Sequence, residues 1–361
     1  MGQPHGIGIV GLGVISAQYL ATLGDHPDVR IVATADLDRS RAEEMAGRVE
    51  GCRALSVDEL VADPAVDTVL NLTIPAAHAE VALAALAGGK GVFGEKPLAA
   101  TLADAHRVVD ARGDAWLGCA PDTVLGTGVQ TARAALENGA IGRPVAAAAT
   151  WVSSGHETWH PHPDFYYREG GGPLLDMGPY YLTTLFHLLG PVARVSGASS
   201  RPRDTRTIAS GPRAGEVIPV EVDTHVTGVL EHADGAVSTV TFSFDAPVSD
   251  AAAIEVYGES GTLSVPDPNL FDGEVRVRAG RRDEWHAVTE RAGYEHAGRG
   301  IGILDRIRTG SDRTDASIAL HVLEVMTALQ ESARAGTRVE IGTRPTPPSV
   351  VPFTSEEQWR G

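Results

Sequence analysis

Cysteine is nearly missing from this chain: its 361 residues include two, Cys52 and Cys119. They lie far apart, with no CxxC or Cys/His spacing. Such usage fits a reducing compartment and argues against a disulfide framework or a zinc knuckle; both thiols read as small buried hydrophobes. Positive charge is also scarce. Thirty Lys and Arg stand against 47 Asp and Glu, for a net charge of −17. That balance argues against a nucleic-acid partner and against an anionic membrane surface. The apolar run at residues 7–15, IGIVGLGVI, is interrupted by glycines and too short to span a bilayer. The preceding MGQPHG has no Lys or Arg, unlike the leader of a signal peptide. Gly2 is followed by Gly6 where a myristoylation signal has Ser or Thr. These absences predict a cytoplasmic protein without a membrane partner.

What is present is a composition of 43% hydrophobic and 21% charged residues, ordinary for a globular protein of about two domains. Across residues 7–120, short apolar runs at 7–10, 29–35, 66–72, 91–93 and 116–118 alternate with amphipathic segments. Ser56 followed by Glu59 forms a capping box, and Thr101 with Asp104 is a weaker version. Alternation of this kind predicts an α/β fold with a parallel sheet between two layers of helices.

The rhythm changes near residue 121. A helical pattern at 127–138 is followed by strand-like stretches at 145–152, 192–198, 221–232, 236–244, 254–257, 262–265 and 274–279. Asp234-Gly235 between two of them signals a hairpin. Ile318, Val322, Val325, Met326 and Leu329 have helical spacing. The pattern predicts an open, mainly antiparallel sheet with helices on one face. The expected bounds are 1–121 for the first domain, 122–345 for the second and 346–361 for an irregular, proline-bearing tail.

Gly11-Leu12-Gly13-Val14-Ile15-Ser16 follows a predicted strand and precedes a predicted helix, the context of a dinucleotide-binding turn. Gly11 permits the tight turn, and Gly13 lets a pyrophosphate approach the backbone, with Val14 and Ile15 beside it. An acidic chain can still bind NAD this way, because the pyrophosphate rests on N–H groups at a helix N-terminus. The next strand ends at Asp36, 20 residues after Ser16. A carboxylate there accepts hydrogen bonds from ribose hydroxyls and repels a 2′-phosphate, which favours NAD over NADP. A turn or capping role for Asp36 stays open, and Arg39 lies close by.

Asn71-Leu72-Thr73-Ile74-Pro75-Ala76-Ala77-His78 follows the third strand of the predicted sheet, and Pro75 would turn the chain over the cofactor. Gly94-Glu95-Lys96-Pro97 comes next. A proline after Lys96 biases that lysine away from helical geometry, aiming it toward the crevice at the strand ends; a surface Lys-Pro turn is the alternative. Thr73, Pro75, His78, Glu95 and Lys96 together make up the expected cofactor edge. Further on, Gly170-Gly171-Gly172-Pro173 opens a helix on which Asp176 and Tyr180 are spaced i, i+4 and share a face. An acid and a phenol on one face suit proton transfer. A helix-start acid and a core tyrosine remain the plainer reading.

GLGVIS, NLTIPAAH, GEKP and GGGPLLDMGPYYL, in this order and spacing, resemble the glucose–fructose oxidoreductase, inositol dehydrogenase and rhizopine-catabolism (Gfo/Idh/MocA) family over residues 6–345. The resemblance implies a Rossmann domain followed by an α/β domain with a large open sheet. It implies oxidation of sugars, cyclitols or related alcohols with NAD or NADP, by homodimers or homotetramers that associate through that sheet. It makes Lys96 the catalytic lysine and Asp176 the catalytic acid. The departure is at Tyr180, where many members carry a histidine base. Glucose–fructose oxidoreductase and dihydrodiol dehydrogenase are similar to this chain in having tyrosine there. A free phenol titrates near about 10, and a neighbouring lysine ammonium lowers that value.

Upstream lies His156-Glu157-Thr158-Trp159-His160-Pro161-His162. Zinc ligands usually sit at helical spacing or beside cysteines, so no metal is expected. The loop reads as a substrate wall in which Trp159 stacks on a sugar ring and His156 or His160 bonds hydroxyls; a purely structural loop is the alternative. His225 and His321 read as packing residues. The expected function is hydride transfer between nicotinamide and a secondary alcohol of a sugar, cyclitol or glycoside. The rivals are a dihydrodiol-type dehydrogenase and a non-catalytic, cofactor-binding sensor or repressor.

Overall fold

The structure, a computed structural model, describes residues 3–361. The chain divides into two compact units. The first holds residues 1–126, 293–320 and 351–361, and the second holds 127–292 and 321–350. In chain order the helices are α1 (Ser16–Leu23), α2 (Arg39–Arg48), α3 (Val57–Ala62), α4 (Pro75–Ala87), α5 (Leu102–Ala111), α6 (Thr127–Glu137), α7 (Pro173–Leu189), α8 (Ile301–Thr309), α9 (Ala316–Ala335) and α10 (Glu356–Arg360).

The first unit is built on six strands: β1 (His5–Val10), β2 (Val29–Ala35), β3 (Arg53–Ala54), β4 (Thr68–Asn71), β5 (Gly91–Gly94) and β6 (Leu117–Cys119). They pair in the order β3-β2-β1-β4-β5-β6, and every neighbouring pair is parallel. A parallel sheet covered on both faces needs continuous apolar strands, and β4 is buried at every position. The helix starts are set by local side chains. Asp38 caps α2 by accepting from Ser40 N, Ser56 and Glu59 form the capping box of α3, and Thr101 caps α5 through Asp104 N. The strand order reverses between β1 and β4, which leaves the crevice typical of such sheets at their carboxyl ends.

The domain bounds differ from those expected. Residues 293–320 return to the first unit, where Asp122 accepts hydrogen bonds from Gly300 N at 2.8 Å and Gly302 N at 3.2 Å at the start of α8. Cys119 N also donates to Thr314 O at 2.9 Å. The tail, expected to be irregular, ends in α10, which carries a Ser355/Gln358 capping box. Trp359 on that helix is 1% exposed, and its indole N–H donates to Glu295 O at 2.7 Å. Proline spacing signalled a loop, but the Ser-Glu-Glu-Gln box that follows starts a short helix.

The second unit holds β7 (Pro144–Val152), β8 (Val192–Ser200), β9 (Thr205–Thr207), β10 (Val217–Pro219), β11 (His225–His232), β12 (Val237–Ser243), β13 (Ile254–Gly258), β14 (Thr262–Val265), β15 (Arg276–Arg278), β16 (His286–Ala287) and β17 (Val339–Glu340). Nine of them form one sheet in the order β16-β15-β14-β13-β7-β12-β11-β8-β17. Its pairs are antiparallel except β12 with β7. β9 and β10 make a separate hairpin. Helix α9 lies close against β8 and β11, where Gly197 and Gly228 are cross-strand partners and the Leu329 backbone and side chain fill the space above them. His321 on α9 is buried, accepts from Val192 N at 3.0 Å and faces Thr343 Oγ1 at 2.8 Å. Burial holds its imidazole neutral, down to about 4.

A Cβ at Gly197 would collide with the Leu329 carbonyl, which is backbone and cannot swing aside. Gly197→Ala should therefore lower stability by about 1–3 kcal/mol through overpacking. The urea midpoint of unfolding reads the change, and an unchanged midpoint would contradict this account of the α9 seat.

Candidate active site

In the first unit the site is built at the carboxyl ends of β1, β2, β4 and β5. Gly11 has φ +93°, and a Cβ there would stand 2.7 Å from the Leu72 carbonyl carbon, so only glycine fits this turn. Gly13 has open space around it. Ser16 is buried and donates from Oγ to Gly13 O at 2.7 Å, so the turn is closed by a side-chain hydrogen bond within itself. Asp36 accepts from Leu12 N at 2.7 Å through one oxygen and from Asp38 N at 2.9 Å through the other. The capping role at α2 belongs to Asp38 instead. Arg39 donates to Glu43 and to Ala54 O, both at 3.2 Å. Val14, Leu37 and Ile74, just past β1, β2 and β4, all stand exposed. Open glycine backbone, a carboxylate at the end of β2 and three bare apolar side chains on one sheet edge fit a dinucleotide.

The next two loops are tied together from behind. Thr73 donates from Oγ1 to Asn71 Oδ1 at 2.7 Å, and Asn71 Nδ2 donates to His78 O at 3.0 Å. His78, expected at the cofactor edge, is buried instead. Its Nδ1 faces Pro97 O at 2.7 Å and its Nε2 faces Thr73 O at 2.9 Å. The ring therefore joins the loop after β4 to the loop after β5, and neither nitrogen is left for a ligand. Glu95 is also buried, accepting from Tyr19 Oη at 2.8 Å and from Lys96 N at 3.0 Å. Burial, with the Glu95 charge behind it, pushes the Tyr19 phenol well above its ordinary value. Lys96 and Pro75 stay at least partly accessible at this edge.

In the second unit Gly172, at φ +94°, leads into α7, and Pro173 occupies the first turn. Asp176 is partly buried, and Tyr180 is buried one turn later. His156 faces Asp176, with Nε2 2.8 Å from Oδ2, and the Trp159 indole N–H donates to His156 Nδ1 at 3.2 Å. Of the two histidines expected to bond substrate hydroxyls, His156 or His160, His156 has both ring nitrogens engaged inside the protein. Trp159 itself is 58% exposed. His160 accepts from His162 N at 3.1 Å; partial burial, then the neighbouring His156, lowers its titration below the ordinary imidazole value. Among the described residues, no three His, Cys, Asp or Glu side chains are grouped as metal ligands.

Sequence reasoning missed what holds this loop. Glu157 bonds Tyr167 Oη and the Arg206 guanidinium, and Arg206 also reaches Asp245 at 2.5 Å. Arg213 grips Asp164 with two bonds, 2.6 and 3.1 Å. Both arginines come from the β9–β10 hairpin region, whose short strands flank Ser-Gly-Pro-Arg-Ala-Gly at 210–215, a turn signal in the sequence.

The fold and the glycine turn define an NAD-binding oxidoreductase with a Rossmann unit and a sheet-based second unit. Residues 5–115 match the oxidoreductase family with an NAD-binding Rossmann fold, and residues 129–264 match the GFO/IDH/MocA C-terminal domain. The chain belongs to the GFO/IDH/MocA family of oxidoreductases. It is 30% identical over 267 residues to the myo-inositol 2-dehydrogenase of Thermotoga maritima, covering 71% of this chain and 74% of that one. It is 27% identical over 282 residues to trans-1,2-dihydrobenzene-1,2-diol dehydrogenase of Bos taurus, covering 76% and 78%. An NAD-binding oxidoreductase from Klebsiella pneumoniae shares the fold at a TM-score of 0.80 and 23% identity, over 94% of this chain and 100% of that one. No helix among the described residues is long and apolar enough to cross a membrane.

The Asp36 carboxylate at the end of β2 gives a direct expectation. Isothermal titration should show NAD⁺ binding at least about tenfold tighter than NADP⁺, a difference near 1.4 kcal/mol, and Asp36→Asn should narrow that gap. Equal or tighter NADP⁺ binding would shift the preference to Arg39.

Proposed function

We propose that the enzyme oxidises a secondary alcohol on a sugar, cyclitol or related ring, with Tyr180 exchanging the proton. The observation that carries this reading is the start of α7, where Asp176 is held by His156 one turn before Tyr180. The inositol dehydrogenase among its relatives supports a ring polyol. When bound, NAD⁺ supplies the hydride acceptor. In the oxidative direction the substrate hydroxyl passes its proton to Tyr180 Oη as the phenolate. The Lys96 ammonium stabilises negative charge on oxygen, and Asp176 accepts from a neighbouring hydroxyl and orients the ring. In the reductive direction Tyr180 donates the same proton. This is the tyrosine form of the family's catalytic set.

A second reading, a small cyclic diol, draws on the exposed aromatic rings of Trp159 and Phe165 and on the cattle relative. Association into homodimers or homotetramers through the sheet of the second unit fits the exposure of Val229, Val237 and Thr239 on one face. Free Cys52 and Cys119 suit work in the cytoplasm.

NADH formation across a panel of myo-inositol, hexoses, anhydrosugars and cyclic trans-diols tests the substrate class, and no turnover on any of them would refute it. Tyr180→Phe should lower kcat by about 10²-fold, the usual cost of a lost acid or base. Lys96→Met should do the same while leaving NAD⁺ affinity within about tenfold. Full kcat in Tyr180→Phe would remove the tyrosine from the chemistry. Tyr180→His should retain activity, with its pH dependence moved toward about 6.5.

A further inference from the structure

His156 and Trp159 form a hydrogen-bond chain with a fixed direction. An indole nitrogen is only a donor, so His156 Nδ1, 3.2 Å away, must accept. A neutral imidazole that accepts at Nδ1 carries its hydrogen on Nε2. That hydrogen faces Asp176, with Nε2 2.8 Å from Oδ2, and an ionised carboxylate only accepts. The order is Trp159 to His156 to Asp176. In this arrangement the imidazole's one in-plane lone pair, on Nδ1, is taken by the indole and is not open to a substrate proton.

The chain is also closely packed. The His156 ring lies 4.2 Å from the Tyr166 ring and 4.7 Å from the Phe244 ring, centroid to centroid. The next residue, Glu157, is fixed by Arg206 at 2.9 Å. The indole is the exposed member, so the chain runs from an accessible aromatic face inward to the carboxylate on α7.

We infer that Trp159 and His156 are positioning residues that set the orientation of the Asp176 carboxylate through one defined imidazole tautomer. This deepens, and rests on, the reading of Asp176 as a catalytic group. Where that carboxylate points decides how well it orients a substrate hydroxyl, so losing its donor should be felt in turnover more than in binding.

Two measurements test the inference. In ¹⁵N-histidine NMR of the full-length protein, His156 should show the Nε2–H tautomer with Nδ1 accepting. An Nδ1–H tautomer would overturn the chain without reference to any substrate. In steady-state assays with NAD⁺ and the panel polyol giving the highest wild-type rate, His156→Ala should lower kcat by at least about tenfold, the loss of one hydrogen bond to a charged group, with KM within about twofold. His156→Gln, whose amide N–H can replace the Nε2 donor, should recover most of the loss, and His156→Asn should not. Trp159→Phe keeps an aromatic ring and removes the pyrrole half of the indole with its N–H. It should lower kcat severalfold in the wild-type background and add nothing to His156→Ala, because both changes break one chain.

Thermal melting followed by circular dichroism shows whether each variant is folded. Where His156→Ala is not, the Gln and Asn pair carries the comparison. Equal turnover in the Gln and Asn variants, or additive effects of the two changes, would refute the positioning role. Asp176→Asn separates the two ideas. If it abolishes turnover while His156→Ala keeps full kcat, the chain is refuted and the Asp176 reading stands. If Asp176→Asn keeps full kcat, the Asp176 reading fails, and the NMR result still decides the direction of the chain.

Discussion

The Arg206 guanidinium sits with its side chain 1% exposed between two carboxylates, Glu157 and Asp245. It also donates to Ser154 O and Phe244 O, each at 3.1 Å. One cation thus ties the β9–β10 hairpin, the loop carrying His156 and Trp159, and the end of β12. Buried charge is tolerated only when it is paired and hydrogen-bonded. Removing one partner would leave a carboxylate desolvated, at a cost of roughly 3–5 kcal/mol. The geometry at Asp176 depends on this knot, because His156 reaches α7 from the loop that Arg206 holds. The chain is acidic overall, yet its most consequential residue in the second unit is a cation hidden from water.

Behind its sheet edge the first unit satisfies buried polar groups with hydrogen bonds instead of an ion pair. His78 lies between two backbone carbonyls and donates to one of them, Asn71 bridges Thr73 and His78, and Tyr19 donates to Glu95. Polar atoms behind the sheet edge are engaged with one another. What the edge presents outward is glycine backbone, the bare side chains of Val14, Leu37 and Ile74, and the partly accessible Asp36 and Lys96. Such a surface binds through shape, apolar cover and backbone N–H groups, so a net charge of −17 is no obstacle to an anionic cofactor.

The regular elements were legible where the signal was local. The runs 29–35 and 262–265 coincide with β2 and β14, and the Ser56/Glu59 box starts α3 as its spacing predicts. The two-residue β3, the β9–β10 hairpin, α8 and α10 were not read, since short elements carry little periodicity. Among candidate site residues, the sequence named Asp176, Tyr180, His156 and His78 but not the partners that hold the two histidines. His156 and His78 are defined by partners 20 and 19 residues away. A histidine's role is set by what faces each ring nitrogen, and no pattern of spacing encodes that. Arg206 was invisible for the same reason: both of its carboxylate partners lie tens of residues away.

The first unit is assembled from three separate stretches, the last of which, residues 351–361, follows the whole of the second unit in the chain. Domains generally fold as units while synthesis proceeds from the N-terminus. All six strands of the first sheet are in place by Cys119, yet the unit built on it takes two later stretches. The β-rich second unit has all its residues by position 350, whereas Trp359 still has to dock beside Glu295 and Tyr294 still has to bridge to Thr354. The last residues the nucleotide-binding unit needs thus lie beyond every residue of the sheet-based unit, and a chain cut after Val350 would keep the whole of the second unit while losing the Trp359 and Thr354 contacts of the first.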